Sequence, residues 1–459
     1  MGVVRRMSTC LRSGRAALAA IAATVICACG GGGSTGGSTG PSLTPTPDAT
    51  PAATPTAAEP TPQPTFGVTH TIVAEHLFGR GEVAVASDGD GFLVASVRSA
   101  ADGVDLVIGD RLDRSAALRD PASITIATTS DASAGLPGEA PVFDRLVAAF
   151  VEGAHQVAWH SERFLGFPTE HTILARRVER DGRVAPALVE IASVLSGAGF
   201  CQTTIGGPLA GAAVAGQLVV LLAEGGACAD NRPPIAIPGL DALDPRTDAI
   251  TYVPISPRVG VSGGELAQGM LFSTATAAAR QNDALIEWFG GATGGTPPFL
   301  RGLWIENATA VPVDVGGAST VASDGEIYLV ASTEAAPAAV GGRVIQVARF
   351  APDTLRLGPP ATVVAEAGDV GRVRLVAFAS QQFLLVHEAL AGDGSASLDV
   401  HLVDTAGSEP TSVALGSFAR GRFGALSTAS AAGVGLVAYA RFDEADGTFS
   451  IETISAGVR

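Results

Sequence analysis

The side chains best suited to chemistry in this chain are its histidines, which are few and widely spaced. The 459 residues include seven, namely His70, His76, His155, His160, His171, His387 and His401. None belongs to an HExxH motif or to a cysteine–histidine cluster in the sequence, so we expect no metal site and no cofactor. The stretch SDGDG at residues 87–91 lacks the closing glutamate of a calcium loop and fits a tight turn better.

The segment HSERFLGFPTEH, residues 160–171, has the densest mixture of polar and aromatic side chains. A few polar groups set among aromatic rings are typical of small-ligand sites. The candidate ligand-binding residues are therefore His160, Arg163, Phe164, Phe167 and His171. The alternative is a solvated loop whose aromatic rings cap the strands on either side.

Catalytic residues cannot be assigned from the sequence. A phosphate-binding loop with its lysine is excluded, because the chain has no lysine and all 29 basic residues are arginine. The 45 acidic residues cannot be paired into a glycosidase acid and base, since that chemistry depends on the distance between two carboxyl groups. The sequence therefore leans toward a binding protein and away from an enzyme.

Residues 1–28 have the properties of a secretion signal. Four arginines precede an apolar stretch, Ala16 to Ile26, that is too short to span a bilayer stably. The stretch ends in Ile26-Cys27-Ala28-Cys29, which resembles the lipobox of bacterial lipoproteins. This resemblance implies cleavage before Cys29 and attachment of lipid to that cysteine, which would anchor the chain to a membrane. An ordinary secretion signal with a chance cysteine is the alternative.

The residue after the lipobox cysteine bears on location. Gly30 stands where the common inner-membrane retention signal has an aspartate, so the outer membrane is the expected site of the anchor. Residues 29–66 then form a tether, Gly/Ser-rich at first and Pro/Thr-rich afterwards, that cannot bury a core. At about 3 Å per residue it can hold a folded domain roughly 100 Å from the membrane. The predicted domains are a signal peptide at 1–28, a disordered tether at 29–66 and a folded domain at 67–459.

Three of the five cysteines remain once the predicted signal peptide is removed, and two are left when Cys29 is assigned to lipid. An even pair in an oxidising compartment, Cys201 and Cys228, predicts a disulfide. Closing this short loop would be worth about 3–4 kcal/mol of loop entropy. Two free buried thiols are the alternative.

The net charge of −16 disfavours two classes of partner. Removing the four arginines of the signal peptide lowers the charge to −20. Such a surface repels nucleic acid and anionic lipid head groups, and no basic stripe offsets it. The same charge suits a soluble, secreted monomer.

A repeated phrase indicates the fold. ASDGEIYLVAS, residues 322–332, nearly repeats ASDGDGFLVAS, residues 86–96, and each joins two short apolar strands through a tight turn. Seven such turns lie 42 to 67 residues apart, at Asp88-Gly89, Glu152-Gly153, Ala215-Gly216, Asn282-Asp283, Asp324-Gly325, Ser380-Gln381 and Ala432-Gly433. The near-continuous apolar runs after the turns predict strands buried on both faces.

These units predict an all-β fold, a single β-propeller of about seven four-stranded blades. The seventh unit ends after its third strand, and the separate strand THTIVAEHL, residues 69–77, supplies the fourth and closes the ring. Six or eight blades, or a pair of two-sheet sandwiches, also fit the pattern. Residues 69–459 resemble the degenerate propeller repeats of secreted bacterial proteins, and no catalytic motif comes with that resemblance.

Three function classes follow. The first is a lipid-anchored binding or scaffolding module of the cell envelope, with a protein or glycan as partner. The second is a propeller hydrolase or lyase acting on glycans, and the third is an accessory subunit of an outer-membrane assembly. Any local site is expected on the rim that carries the inter-blade connections and the loops between second and third strands, because loops on a rigid scaffold carry function.

Overall fold

The computed structural model describes the folded domain with a few gaps. The described residues are 66–459, without 101–102, 133–140, 166–168, 197–200, 229–234, 254–269, 281, 293–298, 307–308, 314, 316–317, 337–341, 367, 408 and 459. The predicted signal peptide, Cys29 and nearly all of the tether lie outside this range. Within it, no helix is long and apolar enough to cross a membrane.

The chain begins with a long strand that precedes the first sheet, β1 (Phe66–Leu77). Three four-stranded antiparallel sheets, blades 1 to 3, follow in sequence order. Blade 1 contains β2 (Val83–Ser87), β3 (Gly91–Ser99), β4 (Asp105–Asp113) and β5 (Ile124–Thr128), and the short helix α1 (Thr129–Ala132) follows it. Blade 2 contains β6 (Val142–Val151), β7 (Ala154–Phe164), β8 (Thr169–Glu179) and β9 (Val189–Ser196). Blade 3 contains β10 (Cys201–Val214), β11 (Gln217–Cys228), β12 (Ile235–Asp244) and β13 (Ala249–Tyr252).

Blades 4 to 7 continue the same order, with two variations. The outer edge of blade 5 is divided between two strands, and one 21-residue strand serves both blade 6 and blade 7. Blade 4 contains β14 (Met270–Ala279), β15 (Asp283–Ala292), β16 (Phe299–Glu306) and β17 (Thr309–Val313). Blade 5 contains β18 (Ala318–Ser323), β19 (Tyr328–Ala335), β20 (Arg343–Ala351), β21 (Arg356–Leu357) and β22 (Ala361–Glu366). Blade 6 contains β23 (Asp369–Ala379), β24 (Gln382–Leu390), β25 (Ala396–Asp404) and the first part of β26 (Thr411–Ala431). Blade 7 contains the second part of β26, β27 (Val434–Asp443) and β28 (Thr448–Val458).

The ring closes as the sequence predicts. Strand β1 pairs antiparallel with β28, from Phe66 opposite Val458 to Leu77 opposite Phe449. Blade 7 therefore takes its outer strand from the N-terminal end of the domain and its other three from the C-terminal end. Strand β1 begins three residues before the strand predicted at residues 69–77.

Buried apolar side chains confirm a ring of seven blades. In the described part of the chain they form seven clusters, and each cluster joins two neighbouring blades. One of these clusters joins blades 1 and 7. Val83 and Phe92 belong to blade 1, and Leu436 and Phe449 belong to blade 7. Every blade is thus packed on both faces, which is why the second strands are apolar along most of their length.

The repeated phrase forms the same turn twice. The Asp88 carboxylate accepts a hydrogen bond from the backbone N–H of Asp90 at 2.8 Å, and Asp324 accepts one from Glu326 at 2.9 Å. The intervening glycines have φ angles of 85° and 94°, which side chains with a Cβ rarely adopt. The phrase therefore stabilises a hairpin in both places.

Candidate functional site

The inner strands of all seven blades line a cavity of about 450 Å³ in the central channel. Its charged lining residues lie at or near the beginnings of inner strands, such as Glu82 just before β2 and Arg372 in β23, whereas Ala210, Ala277 and Val321 lie in the second halves of theirs. The charged side of the cavity is therefore toward the ends of the inner strands that follow the inter-blade connections, which is the rim on which a local site is predicted.

Four arginines lie at this cavity, and we refer to them as the arginine arc: Arg80, Arg145, Arg372 and Arg374. They come from blades 1, 2 and 6, so the arc spans the adjacent blades 6, 7, 1 and 2 of the closed ring. The described lining residues of blades 3, 4 and 5 are small or apolar, for example Ala210, Ala277 and Val321.

Backbone irregularities place two of these arginines. Arg145 is the extra residue of a bulge between Asp144 and Leu146, and its φ is 46°. Arg372 lies in a similar bulge of β23, between Val370 and Val373. Bulges redirect side chains, and a positive φ at a non-glycine residue costs energy that the surrounding structure must offset.

Arg374 is a buried cation that the described structure does not neutralise. Its side chain donates to the carbonyl oxygens of Leu426 at 3.1 Å and Val373 at 2.9 Å, and no described carboxylate pairs with it. Burial and the charge of Arg372 lower the pKa of Arg374 to about 10, so it stays protonated at neutral pH. By contrast, Glu388 pairs with Arg372 and accepts from its Nε at 3.0 Å.

Two acidic residues sit beside the arc in different protonation environments. Burial raises the pKa of Glu82, which lines the cavity, and the nearby Asp144 carboxylate raises it further. Burial also acts to raise the pKa of Asp144, but a hydrogen bond from His160 and the charges of Arg145 and Arg80 outweigh it and lower the pKa. Glu82 thus favours its neutral form more than Asp144 does.

The predicted residues His160 and His171 do come together. His160 Nδ1 lies 2.6 Å from Asp144 Oδ1, and its Nε2 lies 3.2 Å from His171 Nδ1. The two rings stack with centroids 5.4 Å apart. Asp144 Oδ2 also accepts from Arg80 Nη1 at 3.1 Å, so this histidine pair supports one arginine of the arc.

The other predicted ligand-binding residues lie apart from this pair. Arg163 is buried and pairs with Glu170, while its Nε and Nη1 have no partner among the described residues. Because side chains alternate along a strand, Arg163 faces blade 1 with Trp159, whereas His160 faces blade 3 with Ala158. Phe164 is exposed, and Phe167 lies outside the described residues.

The sequence analysis did not predict the arginine arc, although the sequence contains a weak pattern that indicates it. An arginine stands at the start of the inner strand in GRGE (79–82), DRLV (144–147), GRVR (371–374) and GRFG (421–424). The last of these, Arg422, pairs with Glu444 at 2.7 Å and does not line the cavity. Only the closed ring brings the first three together.

The opposite end of the channel has a cavity of another kind. It measures about 820 Å³ and is lined by first-to-second strand turns, including Glu152, Gly216 and Gly325. Its arginine, Arg280, forms an ion pair with Asp283 at 2.7 Å, so its charge is matched. Among the described lining residues, the arginines without a carboxylate partner, Arg145 and Arg374, belong to the other cavity.

The two cysteines of the folded domain occupy matching backbone positions. Strands β10 and β11 pair with Cys201 directly opposite Cys228. Directly opposed residues of an antiparallel pair have Cα atoms about 4.5–5.5 Å apart, within the range that a disulfide spans.

No protein-family model matches this chain, and no curated protein matches it. Several solved structures do match this chain. The Trypanosoma rangeli sialidase, solved with sialic acid, is 10% identical over 84% of this chain and 58% of its own, with a TM-score of 0.45. A phage phi92 endosialidase is 7% identical over 86% and 70%, with a TM-score of 0.45. AofleA from Arthrobotrys oligospora is 12% identical over 77% and 91%, with a TM-score of 0.36.

These structures are β-propeller proteins, and at such identities the likeness concerns the fold alone. The present chain spans little more than half of the trypanosomal sialidase. The strand order, the closing pair β1–β28 and the seven inter-blade clusters together establish that this chain is a β-propeller.

Proposed function

We propose that this chain is a lipid-anchored β-propeller of the cell envelope that binds a small anionic ligand at the arginine arc. The observation that carries the proposal is Arg374, a buried cation at the cavity without a described carboxylate partner. A buried charge is costly unless something pairs with it, and a bound anion would do so.

The surroundings of Arg374 strengthen this proposal. Arg145 also lines the cavity, and no described residue accepts a hydrogen bond from its side chain. Guanidinium groups bind carboxylate, sulfate and phosphate through paired hydrogen bonds. In a chain of net charge −16, cations gathered in a narrow channel create a local field that attracts anions. A cavity of about 450 Å³ also falls within the usual size of small-ligand sites.

A titration with two matched sugars tests the proposal. The full chain with Cys29→Ser would be titrated with glucuronate and with glucose, which differ in the carboxylate. We expect glucuronate to bind, glucose not to bind, and the affinity for glucuronate to fall as salt is added. Failure of both glucuronate and inorganic sulfate to bind at low salt would overturn the anion site.

Two arginine variants provide the site control. Arg145→Gln should weaken glucuronate binding at least about tenfold, corresponding to roughly 1.4 kcal/mol. Arg422→Gln is matched to it, because Arg422 occupies the equivalent place in blade 7 but pairs with Glu444 outside the cavity. Equal losses in both variants would show that binding depends on overall charge and not on the arc.

A hydrolase acting on glycans is the second candidate, favoured by the contrast between Glu82 and Asp144. A carboxyl group with a raised pKa near one with a lowered pKa is the usual arrangement of a glycosidase acid and its partner. Asp144 is however already bonded to His160 and Arg80, which leaves it less free to attack a sugar. Release of a fluorophore from aryl glycosides, lost in Glu82→Gln, would favour this candidate over simple binding.

The envelope location rests on residues 1–29. We expect Cys29→Ser to move the protein from the membrane fraction to the soluble fraction, because no lipid could then be attached. If the variant stayed in the membrane fraction, the lipoprotein proposal would fail.

A disulfide between Cys201 and Cys228 belongs to the same proposal, and the opposed backbone positions of the two residues support it. Peptide mapping of the non-reduced protein should recover the two cysteines in one cross-linked fragment. Recovery of both as free thiols from envelope-purified protein would contradict it.

A further inference from the structure

A second cluster of polar side chains lies between blades 5 and 6, away from the arginine arc. It consists of Glu366, the last residue of β22, with His387 from β24 and His401 from β25. One potential metal-binding atom from each of the three lies within 4.8 Å of the others. Both histidines are on the face of blade 6 that packs against blade 5, because His387 is two residues from Leu385 and His401 two residues from Val403, which belong to that interface.

The hydrogen bonding of this cluster is incomplete. His387 Nε2 lies 3.2 Å from Glu366 Oε1, and the rings of His387 and His401 have centroids 5.3 Å apart. His387 is fully buried, yet its Nδ1 has no partner among the described residues. Asp399, directly opposite His387 on β25, likewise has a buried Oδ1 without a described partner. Unsatisfied buried polar atoms are uncommon, so both need an explanation.

We propose that Glu366, His387 and His401 bind one Zn²⁺ ion. Two imidazole nitrogens and one carboxylate oxygen are ligands that zinc accepts at about 2.0–2.2 Å. A tetrahedral ion needs these atoms about 3.3 Å apart, so a small inward movement of the side chains is sufficient. The Glu366 side chain is 27% exposed, so the cluster can be reached from solvent and water can serve as a fourth ligand.

Proton positions are consistent with this assignment. Zinc binds the unprotonated nitrogen of a neutral imidazole, so coordination by His387 Nε2 would leave the ring proton on Nδ1. The Asp399 carboxylate, opposite on the neighbouring strand, would then be the acceptor that ligating histidines commonly have. Asp399 is therefore assigned as a positioning residue, and both unsatisfied atoms acquire a role.

Calorimetric titration of ZnCl₂ into the full chain tests this site. The protein would carry Cys29→Ser and no histidine tag, and it would be treated with a chelator and kept oxidised. We expect one Zn²⁺ per chain with a dissociation constant of about 1 µM or below. Co²⁺ in place of zinc should give the visible absorption of a four-coordinate ion. Absence of stoichiometric binding by the folded protein would overturn the proposal.

Variants separate this site from adventitious binding. His401→Gln and Glu366→Gln, at partly exposed positions, should each weaken zinc binding at least about 100-fold, while Asp399→Asn should weaken it about tenfold. His171→Gln removes a histidine from the corresponding pair in blade 2 and should leave zinc affinity within about twofold. Zinc affinity that survives His401→Gln, or that falls equally in His171→Gln, would refute the site.

Discussion

Two histidine pairs occupy comparable places in blades 2 and 6 and differ in what surrounds them. In each, one histidine comes from the second strand of the blade and the other from the third, and the rings stack at 5.4 Å and 5.3 Å between centroids. The pair in blade 2 faces blade 3, and the pair in blade 6 faces blade 5. Each includes a carboxylate, but from a different element.

The carboxylate determines what each pair can do. In blade 2, Asp144 belongs to the inner strand, and His160 uses both ring nitrogens, one toward Asp144 and one toward His171. The groups form a line that leads to Arg80 and the channel. In blade 6, Glu366 comes from the neighbouring blade, the polar atoms converge, and one nitrogen of His387 remains without a described partner. A line of satisfied groups orients its members, whereas convergent unsatisfied groups can accept an ion.

The largest expected difference between the pairs is in stability without metal. Asp144→Ala would leave the buried His160 and the half-exposed Arg80 without their acceptor, and removing the acceptor of such a partly buried network costs about 1–3 kcal/mol. Glu366→Ala would remove one hydrogen bond at a partly exposed position and should cost about 1 kcal/mol. Urea unfolding of both variants with a chelator present measures the difference. Equal losses would mean that the two carboxylates play the same structural role.

Much of the fold could be predicted from the sequence. The Asp-Gly turns and the apolar second strands reflect local requirements that recur in each blade, so the repeats and the closing strand were visible in the sequence. The spacing of the turns predicts about seven blades, with six or eight as alternatives, and the structure has seven. Ring closure could be inferred because the last unit lacks one strand and residues 69–77 supply one.

The sites were less accessible to sequence analysis, because they form between elements distant in the chain. His160 and His171 could be paired since one hairpin joins them. Arg163 could not be separated from them without the register, which places it on the other face of blade 2. Glu366 meets His387 only across a blade boundary, so no motif indicated it, and the arginine arc forms only in the closed ring, so the arginine that recurs at the start of inner strands was a weak signal.

The pH dependence of stability should also differ between the two histidine pairs. Burial lowers the pKa of His171, His387 and His401, so the unfolded chain takes up protons first as pH falls through about 6.5. Stability is then lost below that pH, by up to about 1.4 kcal/mol per pH unit for each group. Glu366 acts in the opposite direction, since burial raises its pKa and the folded state takes up its proton first.

The double variant His387→Gln/His401→Gln removes two such groups, and His171→Gln removes one. The measurement compares the free energy of unfolding at pH 7.5 and pH 5.5, on either side of the ordinary histidine pKa of about 6.5. The parent protein should lose stability across this window. We expect the double variant to lose less stability than His171→Gln does. Burial lowers the pKa of His155 to about 4, but His155 is present in both variants and its effect cancels. Asp144, with its lowered pKa, loses its contribution only as pH falls below about 3.9, outside this window. An unchanged pH slope in the double variant would show that the pair in blade 6 is accessible to protons in the folded state.

The smallest expected effect concerns the link between the blade 2 pair and the channel. His171 contacts His160, His160 orients Asp144, and Asp144 holds Arg80 at the arginine arc. Loss of the outermost member should therefore shift glucuronate affinity only about two- to threefold, roughly 0.5 kcal/mol. His401→Gln should not alter it, because no described hydrogen bond joins the blade 6 pair to the arc. If His401→Gln changed glucuronate affinity as much as His171→Gln, the two pairs would not be the independent devices that their bonding patterns imply.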